Sequence, residues 1–480
     1  MAKFDYNVIV IGGGSAGLVS AYICSAVKAR VALIEKHKMG GDCLNTGCVP
    51  SKALIRSARI LSQIRNHKLY GIHTATAEFE FSEIMDRVHA IIAKVEPHDS
   101  VDRYTKLGVD CIQATAKIIS PHEVEVDGKI LTTKNIIVAT GARPAIPPIP
   151  GLDKVDFLTT DTLWNLRELP KRLIVAGGGP IGCELTQCFA RLGSNVTQVE
   201  MMPQLLSRED PEVGEWINKR FKAEGVDVRI NTKCKEIAVE KGEKYMIVEE
   251  GGQEKRIPFD QLLVAVGRAA NAKGFGLEEL GVELSARGTI VVDDYMRTPT
   301  HPNIYACGDV AGPYQFTHTA AHQAWYCAVN ALFSPLKKFK VDYRIIPWST
   351  FTDPEVARVG LSETEARSAG IAYESSLYPI DDLDRAIADS EDHGWIKVLT
   401  EPAKDKILGV TIVGNHAGDL ISEYVLAMKN GFGLNNILST IHIYPTMAEA
   451  NKYVAGVWKK AHAPQTLLTW IEKFHRWRRS

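Results

Sequence analysis

The chain has 480 residues, of which 45% are hydrophobic and 24% charged, a globular balance that excludes a disordered chain and, at roughly 100–200 residues per domain, implies more than one folding unit. Lys and Arg total 56 against 57 Asp and Glu, so no overall field exists to gather nucleic acid, and function has to be sought in local sites. Nine scattered cysteines do not resemble an extracellular disulfide framework. No secretion signal is visible and no run of about 18 apolar residues offers a spanning helix, so a cytoplasmic protein is expected.

The first element is an apolar strand over residues 6–12 that stops at three glycines, opens into a helical stretch near 18–27 and is followed by a second strand at 31–35. That is the size of one parallel crossover. The order returns at 172–177, with glycines at 177, 178, 179 and 182, a helix to about 192 and a strand at 196–200. Between the copies, a strand at 134–141 runs into the proline-dense stretch 143–151, which reads as a linker. A matching strand at 261–267 closes the second copy, and residues 303–309 begin a segment that rejoins the first domain. From about 346 the pattern changes to strand-like pieces at 395–400 and 407–413 ahead of a helix near 420–429. The expected fold class is α/β, with two Rossmann-like dinucleotide-binding domains, residues 1–150 with 280–345 and residues 151–279, and a C-terminal α+β domain over 346–480.

Gly12-x-Gly14-x-x-Gly17 lies between a strand and a helix. The first glycine permits the tight turn, the second lets a pyrophosphate approach the backbone, and the third lets helix and strand pack closely. Glu35, 18 residues after Gly17, ends the next strand, where a carboxylate accepts hydrogen bonds from ribose hydroxyls. Gly177-x-Gly179-x-x-Gly182 and Glu200 repeat this spacing, so two dinucleotides are expected. Glu200 repels a 2′-phosphate and Met201-Met202-Pro203-Gln204 supplies no cation, which favours NAD over NADP, with Arg208 the nearest residue able to reverse that preference.

Cys43-Leu-Asn-Thr-Gly-Cys48 precedes Val49-Pro50-Ser51-Lys52 and a helical run. Pro50 suits a first helical turn, which puts Cys48 at a helix N-terminus, where the dipole favours the thiolate. No Cys or His cluster with zinc-like spacing accompanies the pair, so redox chemistry is expected and no metal site is.

These motifs together resemble the class I pyridine nucleotide-disulfide oxidoreductases, which include dihydrolipoamide dehydrogenase, glutathione reductase and mercuric reductase. The resemblance runs nearly end to end, through both glycine triplets, residues 40–52, Ala139-Thr-Gly141-Ala-Arg-Pro144, Gly267-Arg268-Ala-Ala-Asn271 and Ala306-Cys-Gly308-Asp309. It implies that the first triplet and Glu35 hold FAD, with Gly141 and Asp309 lining the flavin, and that the second triplet, Glu200 and Gly267 serve NAD(H). It also implies that hydride passes to the flavin, which opens a Cys43–Cys48 disulfide at Cys48, leaving Cys43 to exchange with substrate. Lys52 matches the family lysine beside the flavin and Glu184 its ion-pair partner.

Relatives that exchange dithiols place a His before Pro and a Glu several residues later, contributed across a dimer interface. Here Tyr444 precedes Pro445, with Glu449 following and His442 two residues earlier. Tyrosine, with an ordinary pKa near 10, is a poor base at neutral pH, although it can donate to a thiolate or touch a soft metal. Mercuric reductases share that Tyr but carry a C-terminal cysteine pair, and this chain has no Cys after Cys327. The expectation is a homodimeric, FAD-dependent, NADH-linked oxidoreductase acting on a disulfide or dithiol such as lipoamide, with soft-metal reduction and a partner-docking redox subunit as rivals. The tail 467–480 has apolar residues on one helical face and four cations; weak contact with a membrane or partner and cover of its own domain or dimer seam both stay open, the second being commoner for such tails.

Overall fold

The structure is a computed structural model that describes residues 3–480. Its contacts fall into two units: residues up to 65, 76–203 and 221–342 in one, and residues 66–75, 204–220 and 343–480 in the other.

In the first unit the strand Tyr6–Ile11 lies parallel between Val31–Glu35 and the second half of Lys129–Val138. Its last four residues, Val8 to Ile11, are all buried, as an unbroken apolar run requires when both faces of a strand are covered. Asp110–Gln113 extends one edge in parallel, and Ile304–Ala306 pairs in parallel with Lys129–Val138. Lys129–Val138 changes partner along its length, its first four residues pairing antiparallel with Glu123–Val126. The helix Ser15–Ala26 packs against Thr317–Phe333.

The second copy in this unit is a four-stranded parallel sheet in the order Asp227–Arg229, Asn195–Val199, Arg172–Ala176, Gln261–Val264. Three antiparallel strands between Thr232 and Phe259 form a sheet beside it in sequence. Its helix, Pro180–Leu192, opens on a proline whose missing N–H is not needed there and ends at Gly193 in the left-handed region. The proline-dense connector is partly ordered as strand, because Ala142–Pro144 pairs antiparallel with Arg268–Ala270. The chain's outward and return crossings between the copies thus run side by side as a ribbon.

The second unit is built on a five-stranded antiparallel sheet in the order Pro347–Thr350, Glu355–Gly360, Ile407–Gly414, Trp395–Thr400, Glu374–Pro379. Ala417–Lys429 and Glu449–Ala461 pack against it, closing a core around Val359, Ile396, Ile412, Tyr424 and Val454. Trp395–Thr400 is buried at every position. Lys397 therefore brings an ammonium into the interior, where its Nζ meets Asp210 Oδ2 at 2.8 Å and also Glu212. Among the described residues no helix is long and apolar enough to cross a membrane.

Candidate functional site

The two glycine triplets are built alike in atomic detail. Gly12 has φ +108°, and a Cβ there would stand 2.3 Å from the Ala139 carbonyl oxygen; at Gly17 it would stand 1.7 Å from the Gly12 oxygen. No other residue fits either position. Gly177 and Gly182 repeat these contacts against Ala265 and Gly177. Gly14 and Gly179 sit at the N-caps of their helices without a capping side chain, and no atom lies within 4 Å of a Cβ built on Gly179. Each triplet thus presents helix N–H groups without a capping side chain, as a pyrophosphate requires, in open space at Gly179 and beside Gly41 at Gly14, where a Cβ would stand 3.7 Å from Gly41 Cα.

Each acidic strand end is locked to its own triplet. Glu35 accepts hydrogen bonds from the Gly13 N–H at 2.6 Å and the His37 N–H at 2.7 Å; Glu200 accepts them from Gly178 at 2.5 Å and Met202 at 2.7 Å. Both carboxylates keep lone pairs for a ribose. Gly141 and Asp309 are the other residues expected at the first site. Gly141 has φ +65° with open space where a Cβ would be, and the carboxyl of Asp309, raised above its ordinary pKa by burial, meets Arg268 Nε at 3.1 Å. Arg268 also pairs with Asp42, which links the residue before Cys43 to Asp309. The motif around Arg268 does not show this role, because both carboxylates reach the guanidinium only through tertiary packing.

Cys43 lies in the short helix Gly41–Asn45, and Cys48 is the first residue of Cys48–Arg65. Gly41 has φ +56°, and a Cβ there would meet Gly14 Cα at 2.7 Å, so the cysteine loop rests directly on the first triplet. Asn45 Nδ2 donates to the carbonyls of Met39 and Gly41 at 3.0 and 2.9 Å, fixing that loop. Both cysteines are free thiols, and their environments move their pKa values in opposite directions. The hydrogen bond from Cys43 does most to bring Cys48 down to about 6, aided by Thr317 and the Lys52 charge and opposed by burial and Glu184. The same hydrogen bond, with burial and the facing Cys48 charge, pushes Cys43 up. Side-chain hydrogen bonding is thus the largest influence that lowers the Cys48 thiol, ahead of the Lys52 charge. Thr317 Oγ1, 3.4 Å from Cys48 Sγ, was not legible in the sequence, because the contact spans 269 residues.

Cys48–Arg65 packs against Pro180–Leu192, and this places Lys52 Nζ 2.8 Å from Glu184 Oε2. Cys24, Cys183, Cys188, Cys307 and Cys327 are buried and Cys111 and Cys234 partly so, as small apolar side chains. Gly267, at φ +135°, turns the chain into the ribbon.

In the second unit, Tyr444 is 66% exposed and its hydroxyl donates to Asp384 Oδ2 at 2.9 Å. That hydrogen bond and the Asp384 charge raise the phenol above its ordinary pKa. His442 turns the other way. Its Nε2 lies 3.0 Å from Glu423 Oε1 and its Nδ1 3.0 Å from the Thr440 carbonyl, leaving the side chain 5% exposed. Glu449 is buried and accepts from the Thr446 N–H at 3.3 Å. His442 is thus committed to Glu423, while the Glu449 charge still acts on the Tyr444 phenol. This unit also gathers Asp353, Glu391 and His393, one ligand atom of each lying within 4.8 Å of the others, with Trp216 stacked on the imidazole at 5.8 Å. Sequence spacing could not show that cluster, since it is assembled from separate loops.

Comparison with known proteins agrees with this construction. Residues 6–324 match the pyridine nucleotide-disulphide oxidoreductase family, and residues 346–455 match its dimerisation domain. A mercuric reductase of Bacillus cereus is 36% identical over 94% of this chain and 71% of its own length. A dihydrolipoyl dehydrogenase of Chlamydia muridarum is 34% identical over 96% of this chain and 99% of its own. Among solved structures, LpdA from Mycobacterium tuberculosis superposes with TM-score 0.85 at 26% identity, covering 94% of this chain and 99% of that one. The Cu(II) complex of the HOCl-induced flavoprotein disulfide reductase RclA from Escherichia coli does so with TM-score 0.83 at 27% identity, covering 93% and 98%. With paired glycine triplets, a thiol pair resting on the first of them and a dimerisation domain following in sequence, the chain belongs to the FAD-dependent, NAD(P)H-linked pyridine nucleotide-disulphide oxidoreductases.

Proposed function

We propose that this homodimeric enzyme uses NADH to reduce a small or protein-bound disulfide such as lipoamide, or runs the reverse oxidation, through Cys43 and Cys48. The observation that carries the proposal is the placement of the thiol pair, Cys43 in a short helix laid against the first glycine triplet and Cys48 at the head of the helix whose Lys52 pairs with Glu184, with the Cys43 hydrogen bond lowering the Cys48 thiol. Gly12, Gly14, Gly17, Glu35, Gly141 and Asp309 would hold FAD, which when bound supplies two-electron transfer between nicotinamide and the cysteine pair. Gly177, Gly179, Gly182, Glu200 and Gly267 would serve the nicotinamide dinucleotide. The Glu200 carboxylate, fixed by two backbone N–H groups, disfavours a 2′-phosphate and so supports NADH over NADPH.

The thiol chemistry balances within the chain. Cys43 passes its proton to the Cys48 thiolate as its sulfur attacks the substrate disulfide, and the first thiolate expelled takes that proton from Cys48 and leaves as the thiol. Cys48 thiolate then attacks Cys43 sulfur and expels the second. The substrate gains two electrons and the pair becomes a disulfide, which NADH restores to the dithiol. Lys52, held by Glu184, keeps a positive charge near Cys48.

One observation favours a second reading, reduction of a soft metal ion. The Tyr444 hydroxyl already donates to Asp384, so its oxygen serves better as a ligand or acceptor than as a base, and the mercuric reductase of B. cereus is among the relatives. Steady-state NADH consumption with lipoamide or with Hg(II) separates the two readings in wild type, Tyr444→His and Tyr444→Phe. The disulfide reading predicts turnover on lipoamide that Tyr444→His increases. Turnover on Hg(II) alone, lost in Tyr444→Phe, would assign the metal instead.

A further inference from the structure

The helix Gln465–Arg478 follows Pro464 and buries none of its residues. At 100° per residue, Leu467, Trp470, Ile471, Phe474 and Trp477 fall within an arc of about 120°. They stand in water on the single chain, Trp470 72% and Trp477 71% exposed. So large an apolar strip is a contact surface with nothing from its own unit laid over it. It lies beyond residues 346–455, the segment that matches the family's dimerisation domain.

The charges around the strip indicate what covers it. Residues 465–480 contain Lys473, Arg476, Arg478 and Arg479 against a single carboxylate, Glu472, itself paired with Arg476 at 3.0 Å. The Lys473 ammonium lies 5.7 Å from the Trp470 ring and the Arg478 guanidinium 6.0 Å from the Phe474 ring, so cations edge the rings where long stems can lift their heads out of an apolar layer. On the same wheel Arg476 and Arg479 lie on the face opposite the strip, while Arg478 falls inside it at the C-terminal end, so packing the strip on its counterpart in a second copy would bury that guanidinium against apolar rings, a cost that opposes pairing. Indole rings backed by Arg and Lys match the boundary between acyl chains and anionic headgroups.

We propose that Gln465–Arg478 is an interfacial helix that docks the protein reversibly on an anionic lipid surface, with the strip from Leu467 to Trp477 entering the headgroup boundary. This property is independent of the thiol chemistry proposed above. The attraction is electrostatic at long range and apolar at contact, so binding falls with salt and with loss of either element.

The test is flotation of the full-length flavin-loaded protein with vesicles of phosphatidylcholine containing one quarter phosphatidylglycerol, and with phosphatidylcholine alone. It is run beside a chain ending at residue 463, Trp470→Ala/Trp477→Ala, and Arg476→Glu/Arg478→Glu/Arg479→Glu, with sedimentation velocity on each. Binding is expected to the anionic vesicles only, to be lost at 0.5 M salt and in the truncated chain, to fall more than about tenfold in the tryptophan variant, and to fall well over 100-fold on charge reversal at about fivefold per cation. Equal flotation of the truncated chain, or none of the full-length protein, overturns the proposal. Failure to float combined with dissociation of the truncated dimer would assign the helix to a second copy instead.

Discussion

Replacing Cys43 by Ala tests why Cys48 is acidic. The side chain removed is the donor that contributes most to the low pKa, ahead of Thr317 and Lys52. A hydrogen bond to a charged acceptor is worth about 1.5–3 kcal/mol, which at 1.36 kcal/mol per pKa unit is roughly one to two units. The Cys48 midpoint should therefore move from about 6 to roughly 7–8, and its thiolate fraction at pH 7 from about nine-tenths to between a half and a tenth. Alkylation rate at a single pH is a poor readout, because nucleophilicity rises as thiolate fraction falls, with a Brønsted slope of about 0.4–0.5. The assay is thiolate absorbance at 240 nm against pH on the anaerobically reduced protein, with Cys48→Ser as blank. Cys43→Ser, which keeps a donor, should stay closer to wild type. A midpoint still near that of wild type in Cys43→Ala would refute the account and leave the helix N-terminus and Lys52 as the cause.

The same titration distinguishes the ion pair behind the thiols: Lys52→Met should raise the Cys48 midpoint and Glu184→Gln lower it, each by less than Cys43→Ala does, since the two charges act in opposite directions and rank below the Cys43 hydrogen bond. Gly182→Ala and Gly179→Ala should separate folding from binding. The first puts a Cβ 2.2 Å from the Gly177 oxygen and should lower the melting temperature; the second meets only open space and should melt as wild type while weakening NADH binding measured by calorimetry. Asp210→Asn should destabilise the protein by about 3 kcal/mol in urea unfolding, because it removes a partner from Lys397, an ammonium only 4% exposed. Burial opposes the Asp210 charge, but hydrogen bonds from Lys397 and from Thr364 outweigh it and hold the carboxyl well below the usual range. Its contribution is therefore complete above the ordinary carboxyl pKa of about 3.9 and is lost as pH falls through the native value below that. Wild type should accordingly lose stability more steeply than Asp210→Asn in that acid window.

The parts of this protein that were legible in sequence are those whose physics is local. A glycine that must avoid a carbonyl five residues back, and a carboxylate 18 residues on that returns to the same turn, leave a fixed spacing, and both copies show it at Gly17 and Gly182. The Cys43–Cys48 loop was legible for the same reason, down to the helix start at Cys48. The proline stretch after Ala142 was read as linker because proline disfavours central strand, but a two-stranded ribbon needs few donors, and Ala142–Pro144 forms one with Arg268–Ala270. Thr317, Arg268 and Asp384 were invisible as site residues, since each reaches its partner only through tertiary packing. His442 and Tyr444, two residues apart, present equal claims in sequence; packing against Glu423 turns one inward and leaves the other exposed.

The central claim, that Cys43 and Cys48 carry electrons from NADH to a disulfide, is tested most directly by anaerobic stopped-flow oxidation of NADH with oxidised lipoamide present, in wild type and Cys43→Ser. The account predicts many turnovers in wild type and, in Cys43→Ser, reduction of the bound flavin with no transfer to lipoamide. A single equivalent of NADH consumed by wild type, with lipoamide left unreduced, would contradict it.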